Sequence, residues 1–369
     1  MKKQKYLNMN IFRNLKVVEL ASVLAGPAVG MFFAELGAEL IKIENKTTGG
    51  DVTRSWKLPN ETVFTDENGI QDSAYFHSVN YKKKHYFLDL QSLTDREKMY
   101  DILRECDIVI SNFKKSSAQK MGVDYETLQK VNPRLIYGQI YGFDEEDETP
   151  AFDVVLQAEA GFMYMNGEKG GNPVKMPVAL IDILAAHQLK EGILIALLQR
   201  EKTGKGAFVS TSLYESAVAS LANQATNWLM AQHVPQRMGS EHPNIAPYGD
   251  IFETADKKEI VLACGTEKQW VLLCRVLDLS NLTTDELYKT NQKRVQNRRQ
   301  LYTILRGRIA AYLLKDLYEL FRVNQIPMGA IRNIPQVFEN PMAQNMILEE
   351  TLSKNRVTKK IKTIAFKII

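Results

Sequence analysis

Two short apolar runs flanking one helical pattern constrain this chain most. Leu15-Lys16-Val17-Val18-Glu19-Leu20 reads as a strand, and Ala28–Leu36 reads as a helix closed by Gly37. Glu39-Leu40-Ile41-Lys42-Ile43 reads as a second strand, ending at Glu44. Strands joined through a helix lie parallel, with a right-handed crossover. The alternation continues. His85–Leu90 reads as a strand, Thr94–Cys106 as a helix and Asp107–Ile110 as a buried strand. A helix near Tyr125–Val131 and a strand over Leu135–Ile140 follow. The pattern specifies an α/β fold built on a parallel sheet.

Ligands of open α/β sheets bind beyond the carboxyl ends of the strands. Leu24, Glu44, Asn112, Tyr141 and Asp182 all fall at such ends. Asp182 stands out. It closes the apolar run Val178-Ala179-Leu180-Ile181, and a long helical pattern, Ile183 to Arg200, starts directly after it. We expect Asp182 at a strand-to-helix handover, where its oxygens accept backbone N–H bonds and meet the positive end of the helix dipole. That placement fits an ordinary helix cap, and it equally fits a carboxylate that attacks an activated acyl group.

At 369 residues the chain is long enough for two domains. Val209–Leu213 reads as a strand and Glu215–Gln232 as one long helix. Gly239–Pro247 reads as a linker, Tyr248–Phe252 and Glu259–Cys264 as paired strands, and Gln269–Val323 as a charged helical region. Residues 245–335 form the expected second domain. Cys106, Cys264 and Cys274 are too scattered for a disulfide framework or a metal knuckle, which points to a reducing compartment. The basic start Met1-Lys2-Lys3-Gln4-Lys5 is not followed by a secretory apolar run, and no segment is apolar enough for a membrane span. We expect a cytoplasmic protein with no membrane partner. The tail Thr351–Ile369 is basic, but aromatics are not interleaved with its charges, so no nucleic-acid partner is expected.

The familiar chemical motifs are absent. Ala25-Gly26-Pro27 offers one glycine and a proline without an N–H where a dinucleotide cradle needs several glycines. Glu44 alone does not make a ribose site. There is no H-E-x-x-H, G-x-S-x-G or phosphate-binding P-loop, and the five histidines lack ligand spacing, so no metal is expected. Lysines at Lys82-Lys83-Lys84, Lys114-Lys115 and Lys120 are candidates for a phosphorylated ligand, or simply solvated surface.

Taken in order, a set of segments resembles the family III CoA-transferases, the group that includes formyl-CoA and carnitine CoA-transferases and the α-methylacyl-CoA racemases. They are Leu20–Pro27 (LASVLAGP), Leu36–Glu44 (LGAELIKIE), Gly50–Arg54 (GDVTR), Asn80–Lys84, Asn112-Phe113, Met121-Gly122 and Asn132–Ile136. Phe152–Gly161 (FDVVLQAEAG), Ile181-Asp182, Arg200–Gly206 (REKTGKG), Gly239–Pro243 with Pro247-Tyr248, and Pro327–Gly329 complete the set.

The resemblance implies a Rossmann-like large domain over 1–212, a linker over 213–244 and a small α+β domain over 245–330. A second linker over 331–349 and a return to the large domain over 350–369 follow, through the strand-like Ile361–Phe366. It implies a ring-shaped chain threaded through its partner in an interlocked homodimer. It implies CoA transfer from an acyl-CoA to a carboxylic acid through Asp182, with CoA as substrate and no bound cofactor. Asp182 would form a mixed anhydride and then an aspartyl-CoA thioester, kept ionised by the helix that follows it. CoA-contacting positions fall on Lys83, Asn112, Phe113 and Lys120, and on Val23, Leu24 and Asn45, with Lys46 replacing the basic residue expected at Asn45. Trp56, Tyr141 and Phe152 would wall the acyl pocket. Leu24 stands where formyl-CoA transferases carry a glutamine, which implies a more apolar wall. Phe152 stands where the racemases carry a histidine, so α-proton exchange is the weaker alternative. A non-catalytic CoA-binding protein is the other.

Overall fold

The computed structural model describes residues 10–61, 64–65, 71–352 and 356–368. The basic start Met1–Lys5 and Lys354 of the basic tail lie outside them. The chain divides into two compact units: residues 1–162, 175–233 and 342–369 in one, and 163–174 with 234–341 in the other.

The first unit is built on six parallel strands. They are β1 (Lys16–Glu19), β2 (Glu39–Asn45), β3 (Lys83–Leu88), β4 (Ile108–Ser111), β5 (Ile136–Tyr141) and β6 (Ala207–Ser212), laid out β3-β2-β1-β4-β5-β6. Seven helices matter to the argument. They are α1 (Ala25–Glu35), α2 (Leu93–Leu103), α3 (Lys115–Met121), α4 (Tyr125–Val131), α5 (Asp153–Glu159), α6 (Leu180–Thr203) and α7 (Leu213–Ala219). Successive strand residues serve opposite faces. Val17, Ile108 and Ile110 pack with Val29 and Phe33 of α1 and with Ala185, Leu189 and Ile193 of α6. Val18 and Val109 pack on the other side with Met99 and Leu103 of α2 and Leu128 of α4. Each fully buried Val, Leu, Ile, Phe or Met side chain among them contributes on the order of 1.5–3 kcal/mol. The order is that of a doubly wound sheet, whose direction reverses between β1 and β4.

Charged residues sit inside this sheet. Glu19 ends β1 and is completely buried. It accepts from Lys42 Nζ at 2.8 Å and Lys83 Nζ at 2.7 Å, and Lys42 also lies 3.1 Å from Asp51. Gly30 of α1 makes room for this. A Cβ there would stand 2.0 Å from Glu19 Oε2. Beside it Glu44 accepts two bonds from Arg54, at 2.9 and 2.6 Å, and lies 2.7 Å from His85 Nδ1. Arg54 lies over the Phe76 ring at 3.8 Å. Gly50, at φ +94°, keeps a Cβ from coming within 2.4 Å of Glu44 Oε2.

Three expectations are corrected. The region expected as one helix, Glu215–Gln232, is split into α7 and α8 (Ala222–Ala231), and α8 opens on Ala222 at φ 47°. No strand precedes α6, because residues 177–179 form an irregular turn. The tail forms a hairpin of Ile347–Thr351 with Val357–Ile361, and Lys362–Phe366 is not strand. That hairpin is anchored in the first unit. Thr363 donates to Glu35 of α1 from N at 2.7 Å and from Oγ1 at 2.8 Å, and Ile364 is buried in the α1–α6 core.

The second unit is α+β. Strands Tyr248–Glu253, Glu259–Ala263 and Met328–Ala330 pair antiparallel, with the middle strand between the other two. Helices Glu267–Val276, Arg298–Ile309 and Leu314–Val323 cover them around Phe252, Ile260, Trp270, Leu305 and Phe321. Among the described residues no helix is long and apolar enough to cross a membrane.

Candidate active site

A cavity of about 140 Å³ opens where the sheet order reverses. The turn after β1 (Ser22, Val23, Leu24, Ala25) and the turn after β4 (Asn112, Phe113, Lys114, Lys115) form its sides. Tyr141, Gly142 and the loop to Phe152 close it, and Asp182 lies inside it.

The turn after β1 is held in an unusual shape. Val23, a β-branched residue, sits at φ 72°. Asn112 clamps the residue before it, accepting from Ser22 N at 3.1 Å and donating to Ser22 O at 2.9 Å. Asp51 accepts from Val23 N at 3.2 Å and from Thr53 N at 3.0 Å. Lys42 in turn grips Asp51 and donates to Ala21 O at 2.7 Å. The buried charges at the end of β1 therefore set the backbone of the cavity wall. Strain of this kind persists only where the surroundings over-determine it. The backbone amides of Leu24 and Ala25, at the start of α1, find no acceptor among the described residues.

Asp182 is in the first turn of α6, not at its N-cap. The cap residue is Ala179, which makes no side-chain cap bond. The capping role falls to Asp153 at the start of α5, whose Oδ1 accepts from Ile181 N at 2.7 Å. Its Oδ2 accepts from Gln157 Nε2 at 2.6 Å, and Gln157 Oε1 accepts from Met176 N at 2.7 Å. The Asp182 carboxyl is thereby left without a hydrogen-bond donor among the described residues, although the residue is only 7% exposed. The expected stabilisation of its anion by the helix end meets a larger opposing effect. Burial, and then the neighbouring charge of Asp153, push Asp182 up to about 7. Tyr75 lies within the same field. Burial first, then Asp182, Asp153 and Asp51, raise its hydroxyl to about 12.

The expected site residues separate into two groups. Val23, Leu24, Asn112, Phe113, Tyr141 and Phe152 line the Asp182 cavity. Lys83 does not. Its ammonium is buried between Glu19 and the Pro27 carbonyl at 2.9 Å, so it is an internal counter-ion and no solvated point charge. Asn45 turns back on its own loop, accepting from Thr47 N at 2.9 Å, and Lys46 is ion-paired with Asp95. Lys120 lies exposed on α3, outside the cavity lining. Trp56 stands edge-on to Tyr75 at 5.1 Å and does not line the cavity. Sequence reasoning missed the roles of Asp153, Asp51 and Tyr75. Asp153 follows Phe152 in the FDVV segment, and its acidic side chain at a helix start was the available signal. Among the described residues no cluster of His, Cys, Asp or Glu could hold a metal ion.

The chain is similar to known proteins along most of its length. The profile of CoA-transferase family III matches residues 12–368. Succinate–glutarate CoA-transferase of Agrobacterium fabrum is 35% identical, over 89% of this chain and 82% of that protein. Human succinyl-CoA:glutarate CoA-transferase is 34% identical, over 90% of this chain and 74% of its own. A crystal structure of a CAIB/BAIF family protein from Brucella suis superposes with a TM-score of 0.82 at 36% identity, covering 96% of this chain and 92% of that one.

Proposed function

The chain belongs to CoA-transferase family III, and from that membership we propose that Asp182 is its covalent nucleophile. The protein moves CoA from an acyl-CoA thioester to a carboxylic acid. The observation that carries the proposal is the free Asp182 carboxyl in a sheltered cavity, its capping duty taken by Asp153.

In this reading an Asp182 oxygen attacks the thioester carbonyl, the C–S bond breaks and CoA thiolate leaves, giving a mixed anhydride. The thiolate attacks Asp182 Cγ, which frees the first acid and leaves an aspartyl-CoA thioester. The acceptor carboxylate attacks that thioester and expels CoA thiolate. The thiolate then attacks the acceptor's acyl carbon, which forms the new acyl-CoA and regenerates Asp182. Each step splits a difficult exchange into easier ones. The amides of Leu24 and Ala25 are suited to stabilise the oxyanions, being unpaired in residues that line the same cavity as Asp182. A carboxyl poised near 7 loses its proton readily at working pH yet remains nucleophilic.

The substrate class follows the relatives. Their names pair succinate or succinyl-CoA with glutarate and mesaconate, all dicarboxylic acids. We assign this chain to CoA exchange between dicarboxylic acids. Racemisation is disfavoured because Phe152 has no group that moves a proton. Of the CoA contacts read from the resemblance, Val23, Leu24, Asn112 and Phe113 are retained. The homodimer, with residues 213–244 and 331–349 as linkers, belongs to the same reading. The exposure of Leu229 at 73% and Met230 at 83% on α8 supports it. So does the clustering of residues 342–369 with the first unit.

The test is kinetic. With succinyl-CoA and glutarate the protein turns over with ping-pong kinetics. Asp182→Asn lowers kcat by about a thousandfold or more while CoA still binds. Retained turnover in Asp182→Asn overturns the assignment.

A further inference from the structure

Positive charge is scarce around the Asp182 cavity. Its lining cations are Lys114 and Lys115, and its lining acids are Glu145, Asp147 and Asp182. Lys114 Nζ is engaged by the backbone carbonyl of Glu148. Lys115 differs, because its partners are two carboxylates, Glu145 at 3.0 Å and Glu146. These belong to the five-acid run Asp144-Glu145-Glu146-Asp147-Glu148 in the loop after β5. Lys115 and Glu145 also line a second cavity of about 300 Å³, which shares Phe113 and Tyr141 with the first. The lysine thus stands where the two spaces meet, and Asp182 lines the first of them.

A substrate with two carboxylates places one beside Asp182 for reaction. Its other carboxylate would face an acidic wall unless a cation meets it. Lys115 is the cation whose present partners are themselves carboxylates. Those partners are easily exchanged, since Glu145 and Glu146 are 47% and 78% exposed. Pairs so exposed are weak, because water screens them. A substrate carboxylate delivered in fixed geometry replaces them with little loss.

We propose that Lys115 determines specificity by pairing with the far carboxylate of a dicarboxylic substrate, and that Glu145 and Glu146 hold its ammonium in place until that carboxylate arrives. The inference rests on the dicarboxylate reading above and adds the residue that enforces it.

The test is equilibrium binding of glutarate and of butyrate to the CoA-saturated protein by calorimetry. The wild type prefers glutarate. Lys115→Met weakens glutarate by about tenfold or more, the value of one charge-assisted hydrogen bond, and leaves butyrate and CoA affinities unchanged. Lys115→Arg restores part of the preference. The double variant Glu145→Gln/Glu146→Gln tightens glutarate several-fold. Asp182→Asn keeps the glutarate preference, so failure of the covalent chemistry leaves this measurement readable. The proposal is overturned if the wild type shows no preference, or if Lys115→Met weakens both acids equally. It is also overturned if Lys115→Met weakens CoA while the glutarate preference persists, which would assign the lysine to the CoA phosphates.

Discussion

Asp182 is subject to two opposing influences. The start of α6 favours its anion, while burial and Asp153 favour its acid. Burial wins, and two pH effects follow. In the proposed mechanism the Asp182 anion is the nucleophile, so kcat/KM is expected to rise with pH around an apparent pKa near 7. Asp153→Asn removes the repelling charge, and the midpoint moves to lower pH, which a pH–rate profile reads directly. Stability runs the other way. The folded state holds a proton on Asp182 that the unfolded chain releases around its ordinary 3.8, so stability falls as pH rises from about 4 to about 7. Asp182→Asn lacks this loss. Its stability relative to wild type grows across that window by about 2–4 kcal/mol, measured by urea melts at pH 4.5 and 8. The sequence singles out Asp182 because its apolar run and helix pattern suggest a strand end, and in the fold the residue lines one cavity with Val23, Leu24, Asn112 and Tyr141. Its freedom from capping was not legible, because the residue that relieves it, Asp153, is remote in the chain and joins it only through the packing of α5 on α6.

The elements meet the sequence pattern where apolar periodicity governs, and depart from it where charge is internal. The β1–α1–β2 unit, β4 and β5 were legible because alternating side chains must serve two faces of a covered sheet. Lys83 was not, since a lysine run reads the same whether its ammonium meets solvent or Glu19. The shape of the turn after β1 rests on those buried charges. Glu19→Ala leaves Lys83 without its anion and Lys42 with Asp51 alone, and costs about 3–5 kcal/mol in denaturant unfolding. Gly30→Ala forces α1 from β1, because its Cβ would overlap Glu19 Oε2 and stand 2.9 Å from Leu40 Cδ1. That overpacking costs about 1–3 kcal/mol and raises KM for the acyl-CoA through the displaced Val23–Ala25 turn.

At the scale of the whole molecule, the last residues belong with the first. Glu35 binds Thr363, Lys82 N donates to Glu350 at 2.8 Å, and Ile364 completes the α1–α6 core. Ile364→Ala therefore lowers the stability of the large unit by about 2–4 kcal/mol, although it lies at the far end of the chain, and chemical denaturation checks this. A second domain was expected from the change from strand–helix alternation to a paired-strand and helical region. The assignment of residues 163–174 to the second unit was not, because no composition shift marks it. The proposed reaction depends most on the bond assigned to Asp182. Intact-protein mass spectrometry during turnover with succinyl-CoA, followed by peptide mapping, tests it directly. The proposed mechanism requires a hydroxylamine-sensitive adduct with the mass of CoA less one water, on the peptide containing Asp182 and absent from Asp182→Asn. An adduct on another residue, or turnover without any adduct that Asp182→Asn leaves intact, would contradict it.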